Sequence, residues 1–359
     1  MDAATTTLRK QLSTTALADV YRFFRYALPD FALNRLLRTM RRGQARKAML
    51  YPVRLLMSKI RGRPRRVMVD LVSVCNLRCP MCSVPPDIAI GATQKKHLDL
   101  AEFKRIADEL EGHVTDLSLV YSGEPLLHPS FKEIVEYAKT RFYLSTISNG
   151  TVIKGGRLEA LVDGIDYLQF SFDGLSKESY EKYRVGANYD SVLANVNAVI
   201  EAKQRAGIGL PVITITFLVN SYNEDEVEDA RRYWLGRRGV NYFFDKPINL
   251  NVHRRSDDKK EHDLVHWLPQ KSKMTLYKRD EAAGTVEVEK KRAPCSIMQT
   301  PVIRGDGEIL MCCHDLNNSV KIGNIEKDNL VALWGSEKYA AIRQRGANRQ
   351  YPICKVCGK

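Results

Sequence analysis

The chain has 359 residues, 44% of them hydrophobic, with 56 Lys/Arg against 42 Asp/Glu and a net charge of +14. That length suffices for one large domain with a sizeable core plus an extension. No stretch approaches the ~18 apolar residues of a membrane span, and Met1–Lys10 lacks the apolar core of a signal peptide. Eight cysteines in such a chain point to metal chemistry in a reducing cytoplasm rather than to a disulfide framework.

The charge is unevenly placed. Met1–Arg66 holds 16 Lys/Arg against three acids, a net +13, whereas the remaining 293 residues hold 40 against 39, a net +1. This N-terminal segment, 1–66, reads as basic amphipathic helices. Val20, Tyr21, Phe24 and Leu28 form one apolar stripe; Leu33, Leu36, Leu37 and Met40 a second; Met49, Val53, Leu56, Met57 and Ile60 a third. Packing of these stripes on the rest of the protein is the first expectation. An anionic membrane surface comes second. Nucleic acid comes last, because no reading motif is recognisable. Arg61–Arg66 reads as a linker.

From Val67 to residue 250 the pattern alternates between β and α. Strands are predicted at Val67–Val72, Asp116–Tyr121, Phe142–Ser148, Tyr167–Ser171, Val212–Leu218 and Asn241–Asp245. Helices are predicted at Asp99–Glu111, Ser130–Thr140, Gly156–Val162, Asp190–Ala206 and Glu224–Leu235. Six strands with intervening helices predict an α/β fold with a buried parallel sheet. Periodicity alone permits either a barrel or a doubly wound open sheet. Residues 251–294 read as a polar connector with one helix around Asp263–Leu268. Residues 295–359 read as a small cysteine-bearing module.

Cys75-Asn-Leu-Arg-Cys79-Pro-Met-Cys82 directly follows the first strand. Three thiolates at this spacing can wrap one face of a cubane iron–sulfur cluster and leave a fourth iron open, whereas zinc wants four ligands. The run resembles the signature of radical S-adenosylmethionine (SAM) enzymes. The resemblance implies a partial (β/α)6, TIM-like barrel and a 4Fe–4S cluster that binds SAM through its open iron. It also implies cleavage of SAM to a 5′-deoxyadenosyl radical that abstracts hydrogen from substrate, and a flavodoxin- or ferredoxin-type electron donor. Met81 stands where the family usually has an aromatic residue, and mainly its backbone is implied to touch adenine.

Other segments resemble the family's SAM-binding elements at the C-terminal ends of strands, where barrel enzymes place functional residues. Ser122-Gly123-Glu124-Pro125 resembles the G-G-E-P motif, whose carboxylate holds the methionyl ammonium. Asn149, after the third strand, and Ser171 and Asp173, at the end of the fourth, are implied to line the SAM cleft. The Asn-Gly and Asp-Gly pairs there are also ordinary turn formers. Arg184 resembles an arginine that pairs with the SAM carboxylate.

Cys295, Cys312, Cys354 and Cys357 make a second set, with Gly305-Asp-Gly307 predicted as a hairpin tip before Cys312. The set resembles a truncated SPASM, or Twitch, module, which implies one auxiliary 4Fe–4S cluster. A four-cysteine zinc ribbon is the alternative, for which the sixteen intervening residues of the first pair are poor spacing. Cys313 is left over as a hydrogen-atom donor, an alternate ligand or a small buried residue. His262 and His266 share a helix face but lack a third convergent ligand, and His314 lies beside the paired cysteines.

Dehydrogenation of a carbinol is the reading favoured, because the cysteine spacing resembles that of a Twitch-containing aminocyclitol dehydrogenase. Peptide maturation, epimerisation and radical carbon–carbon coupling are the alternatives. The substrate is a small molecule or a peptide. The localisation expected is cytoplasmic, with a peripheral membrane position through residues 1–66 as the alternative.

Overall fold

A computed structural model describes residues 36–82, 97–248, 265–271, 275–280, 285–288, 295–315, 319–355 and 357. Six parallel strands form its centre: β1 Arg66–Val69, β2 Asp116–Ser118, β3 Tyr143–Ser148, β4 Tyr167–Ser171, β5 Val212–Leu218 and β6 Val240–Lys246. They lie side by side in chain order. A doubly wound sheet reverses its strand order at a switch point. No reversal occurs between β1 and β6, so the open-sheet alternative falls. Right-handed crossovers in sequential order place the connecting helices on a single face.

Those helices are Leu100–Leu110, Phe131–Ala138, Arg157–Asp163, Tyr189–Ala206 and Val227–Leu235. The longest starts at Asn188, whose side chain accepts from the Ser191 amide, and stops at Gly207 in the left-handed conformation. A further helix, Lys177–Tyr183, was not expected from the sequence; its seven polar and aromatic residues carry too little period to show.

Alternation along the strands separates two faces. Leu144, Leu168, Phe170, Ile213, Ile215 and Phe217 are buried in the main core. The opposite parity is aligned by register. Ser118 pairs with Ser145, Ile147 with Gln169, Gln169 with Thr214, Thr214 with Tyr242, and Ser171 with Thr216. On β6, Arg231 of the last helix bonds Asp245 and sits over Phe243. Tyr242 and Phe244 therefore belong to the helix-free face, where their rings stack 6.0 Å apart.

The cysteine-bearing module is not a separate sheet. Its strand β9, Val302–Ile303, pairs parallel with β1, and β10 (Glu308–Leu310) and β11 (Lys321–Asn324) extend the same sheet antiparallel to nine strands. The turn between β9 and β10 closes with the Gly307 amide on the Arg304 carbonyl, and Gly307 has φ +82°. The connector departs from the expected single helix. Val265–Trp267 form a short 3-10 turn, and β7 (Tyr277–Asp280) and β8 (Thr285–Val288) pair antiparallel.

The chain divides into two compact units between Tyr51 and Pro52. The first predicted stripe, with Leu33, lies outside the described residues. Residues 36–41 and Ala45–Ile60 are helical. Most of the third stripe is not packed as first expected: Met57 is half-buried, but Met49, Val53, Leu56 and Ile60 are exposed, because the helix is held by its other side, through Arg54.

Candidate functional site

The loop after β1 carries Cys75, Cys79 and Cys82, all free thiols, the first two half-buried and the third exposed. The Cys82 amide closes a turn on the Cys79 carbonyl at 2.9 Å. Two donors reach the sulfurs from other loops: Asn149 Nδ2 lies 3.6 Å from Cys75 Sγ, and Arg184 Nη1 lies 3.6 Å from Cys79 Sγ. Burial pushes the Cys75 thiol up and that of Cys79 up to about 11. Binding a metal cluster would therefore expel protons from these sulfurs.

The Ser122–Pro125 loop packs directly on the cysteine loop. A Cβ on Gly123 would lie 2.3 Å from the carbonyl oxygens of both Val72 and Val74, so only glycine fits. Glu124 is almost fully buried. Its Oε1 accepts from Leu126 N (3.1 Å) and Ser148 Oγ (2.9 Å), and its Oε2 from Asn149 N (2.7 Å). Pro125 opens the short 3-10 turn that Glu124 caps. Burial outweighs these donors and lifts the Glu124 carboxyl to about 7.

Ser122 is anchored by a residue that sequence reasoning missed. Its amide and hydroxyl both donate to Asp70, at 3.0–3.2 Å. Asp70 continues β1 on the helix-free face and is buried, which raises its carboxyl to about 7. Nothing in its neighbours' residue types marked this aspartate; only the register of β1 does. Asn76 was also missed, and its side chain accepts from Asn149 Nδ2 at 3.0 Å.

Arg184 is the hub of the opposite wall. It forms an ion pair with Asp173, whose Oδ1 accepts from the Leu218 amide at 2.7 Å. Its Nε is buried without a hydrogen-bond partner. A buried, unpaired guanidinium N–H is costly unless a ligand completes it, and an anionic oxygen suits it. Ser171 is half-buried at the end of β4. Met81 lies in a second apolar cluster with Tyr183, Trp267, Leu268 and Tyr277, against which Cys79 packs. Trp267 meets Tyr183 at 5.6 Å and Tyr222 at 4.9 Å.

Cys295, Cys312, Cys354 and Cys357 line one pocket, with Met298, Met311 and Ile353 as apolar walls and His314 and Arg349 at its side. Cys313 is not among its lining residues. The His314 amide lies 3.3 Å from Cys312 Sγ. Gly346 touches Met298 so closely that a Cβ would overlap its thioether. His262 lies outside the described residues, and His266 packs on Trp267. His128 is buried between the Leu98 carbonyl and the Ser130 amide, ahead of the helix it introduces. Among the described residues, no three His, Cys, Asp or Glu side chains converge on one ion. A cubane instead meets each thiolate through a different iron.

Residues 69–233 match the family model of the Radical SAM superfamily, and residues 295–358 match SPASM, an iron-sulfur cluster-binding domain. The chain is a radical SAM enzyme with a SPASM domain. It is similar to a Pyrococcus furiosus protein called tungsten-containing aldehyde ferredoxin oxidoreductase cofactor-modifying protein, 26% identical over 318 residues, covering 80% of this chain and 86% of the relative. A Rhodopseudomonas palustris PqqA peptide cyclase is 33% identical over 116 residues, but this stretch covers only 32% of this chain and 30% of the relative. In fold, this radical SAM chain resembles Streptococcus suis SuiB, solved with the precursor peptide SuiA: TM-score 0.57, 12% identity, 87% of this chain and 74% of that one.

A radical SAM enzyme with a SPASM domain uses a SAM-binding 4Fe–4S cluster, SAM itself and an auxiliary 4Fe–4S cluster. The residues present fit these groups. Two separated sets of thiols are gathered, one of three and one of four, and the orphaned Arg184 N–H lies beside the first.

Proposed function

We propose that this enzyme oxidises a carbinol carbon of a small, uncharged, hydroxylated substrate to a carbonyl. Cys75, Cys79 and Cys82 hold the SAM-binding cluster, and Cys295, Cys312, Cys354 and Cys357 the auxiliary one. The observation that carries this reading is the helix-free face of the sheet. Across β2 to β6 it presents Ser118, Ser145, Gln169, Ser171, Thr214 and Tyr242, hydroxyl and amide groups, while the charged side chains of the same parity stand at the strand ends, Asp116 paired with Arg65 at the start of β2 and Lys246 at the close of β6. Such a surface suits a neutral polyol better than an ionic substrate.

When bound, the clusters and SAM supply one hydrogen-atom acceptor and one electron acceptor, which with loss of one proton balance the oxidation of a carbinol to a carbonyl. The chain's own residues bind and orient. Glu124 faces the SAM ammonium, and Arg184 offers its unused Nε to the SAM carboxylate. Ser171 and Asp173 take ribose hydroxyls, Asp173 through lone pairs left after its bonds to Arg184 and Leu218. Asn149 ties the Glu124 loop to Cys75, and the backbone of Met81 meets adenine. The cluster of Tyr183 and Trp267 around Met81 keeps water from that side. For the substrate's hydroxyl proton we assign Ser122 as the relay and Asp70 as the acceptor. The serine is half-buried, and its hydroxyl already points its own proton at Asp70.

A flavodoxin- or ferredoxin-type protein supplies the reducing electron. Peptide modification is the second reading, favoured by the stretch that is 33% identical to the PqqA peptide cyclase. The test is anaerobic turnover of the reconstituted enzyme with a polyol panel and with peptides, with mass analysis of the products. A product lighter by two hydrogens per deoxyadenosine released is expected. An isomeric product carrying solvent deuterium would overturn dehydrogenation in favour of epimerisation, with Cys313 as hydrogen donor. Cys313→Ala would then stop hydrogen return, whereas dehydrogenation should survive it.

A further inference from the structure

Ten large hydrophobic residues are exposed among the described residues, and six of them fall between Leu37 and Ile60. Four belong to one helix, Ala45–Ile60. Met49 is 63% exposed, Val53 and Leu56 57% each, and Ile60 69%. Spacings of four, three and four residues put them on one helical face. The other side is fixed: Arg54 donates to the Arg141 carbonyl at 2.7 Å and pairs with Glu111, and Ser58 is buried. The helix therefore cannot roll to hide its stripe without breaking those bonds. A contiguous aliphatic stripe facing outward marks an interaction surface rather than scattered surface residues.

The charge around it selects the partner. Residues 36–66 contain eleven Lys or Arg and no Asp or Glu. A second copy presenting the same face would bring like charges together, which disfavours self-pairing. Nucleic acid would use the cations but leave the aliphatic stripe without a role. A surface that is apolar within and anionic at its rim matches both features. We propose that the helix Ala45–Ile60 lies in the interface of an anionic lipid bilayer. Val53, Leu56 and Ile60 enter the acyl boundary while flanking arginines, among them Arg46 and Arg61, meet the headgroups. This is independent of which substrate the enzyme oxidises.

The test uses the full-length, cluster-loaded protein and sedimentation with vesicles, either of phosphatidylcholine alone or of phosphatidylcholine and phosphatidylglycerol in equal parts. The protein should pellet with the anionic vesicles and stay in solution with the neutral ones. A Val53→Ser/Leu56→Ser/Ile60→Ser variant, changed only at exposed positions, should keep its iron content, circular dichroism and SAM cleavage. Its affinity for anionic vesicles should fall about tenfold or more, since each lost side chain removes more than one buried CH₂ from the acyl boundary. Ile60→Ser alone, at the helix end, gives a smaller loss in the same direction and serves if the triple variant folds poorly. Equal binding by parent and variants would overturn the proposal, leaving plain cationic adsorption. So would failure to pellet at all, a parent dimer that Leu56→Ser dissociates, or RNA binding without vesicle binding.

Discussion

The Glu124 carboxylate and the Asn149 backbone amide meet at 2.7 Å, and the same asparagine extends its side-chain amide to within 3.6 Å of Cys75 Sγ. One residue pair thus joins the loops after β1, β2 and β3. Whatever moves Glu124 moves a donor off the cysteine loop.

Glu124→Ala should accordingly harm both the fold and SAM binding. It leaves Leu126 N, Ser148 Oγ and Asn149 N without their acceptor, each unpaired buried group costing about 1–3 kcal/mol. Glu124→Gln keeps the shape and one acceptor oxygen, so its melting temperature should lie nearer the parent's. It should still bind SAM about tenfold or more weakly, from a lost charge-assisted bond worth about 1.5–3 kcal/mol. Equilibrium dialysis beside thermal melts separates the two effects, and parental SAM affinity in folded Glu124→Gln would remove the ammonium role.

Asp70 and Glu124 give the cluster-free protein a definite pH response. Burial raises them from 3.8 and 4.5 to about 7 each, so the folded state binds protons that the unfolded chain has released. For a raised pKa, the stabilisation is fully present below the unfolded value and is lost as pH climbs through the folded one. Urea midpoints should therefore decline across the window from about 4 to 7. The decline should be shallower in Asp70→Asn, which no longer titrates. In the loaded enzyme, Asp70→Asn should continue to form deoxyadenosine while product formation drops, because only the proton acceptor is gone.

Gly123→Ala tests the close approach of two loops. With carbonyl oxygens 2.3 Å from the new methyl, backbone must shift on one side or the other. A loss of about 3 kcal/mol or more is expected, at the upper end of single substitutions. Full SAM binding by a variant with an unchanged melting temperature would contradict the observed packing.

Trp267→Ala should loosen the loop that carries Cys79 and Cys82 although it lies far from them in sequence. The indole shares an apolar cluster with Met81 and Tyr183 and is 7% exposed. Faster iron loss to a chelator is expected from the three-cysteine site alone. Triple replacement of Cys75, Cys79 and Cys82 by Ala should remove that cluster and all SAM cleavage, leaving about four of about eight irons per chain. Equal iron in parent and triple variant would refute the assignment of ligands.

Much of this was legible in the sequence because it is local. Tyr167–Ser171 and Val212–Leu218 are strands with the predicted bounds, since buried parallel strands read as short apolar runs between turn signals. The cysteine sets and the Ser122–Pro125 loop announce themselves by spacing. What stayed hidden is what register creates. Asp70 becomes notable only when β1 aligns with β2, and Trp267 only when the connector returns to Met81. The β7–β8 pair is hidden by its shortness, four residues a strand with Lys278-Arg-Asp280 all polar in β7, and the exposed stripe by its resemblance to a core-facing helix. Periodicity states that an apolar face exists and is silent on what it meets.

The pairing of β9 with β1 sets an order of events during synthesis. β1 emerges among the first strands but gains its second neighbour only when Val302 and Ile303 have been made, more than two hundred residues later. Until then its outer edge offers unpaired amides and carbonyls to any passing strand. The closing contact is thus of high sequence separation and correspondingly slow to find. Cutting the chain before β9 would therefore do more than delete a cluster: it would leave the barrel with a permanently open seam, prone to association between chains.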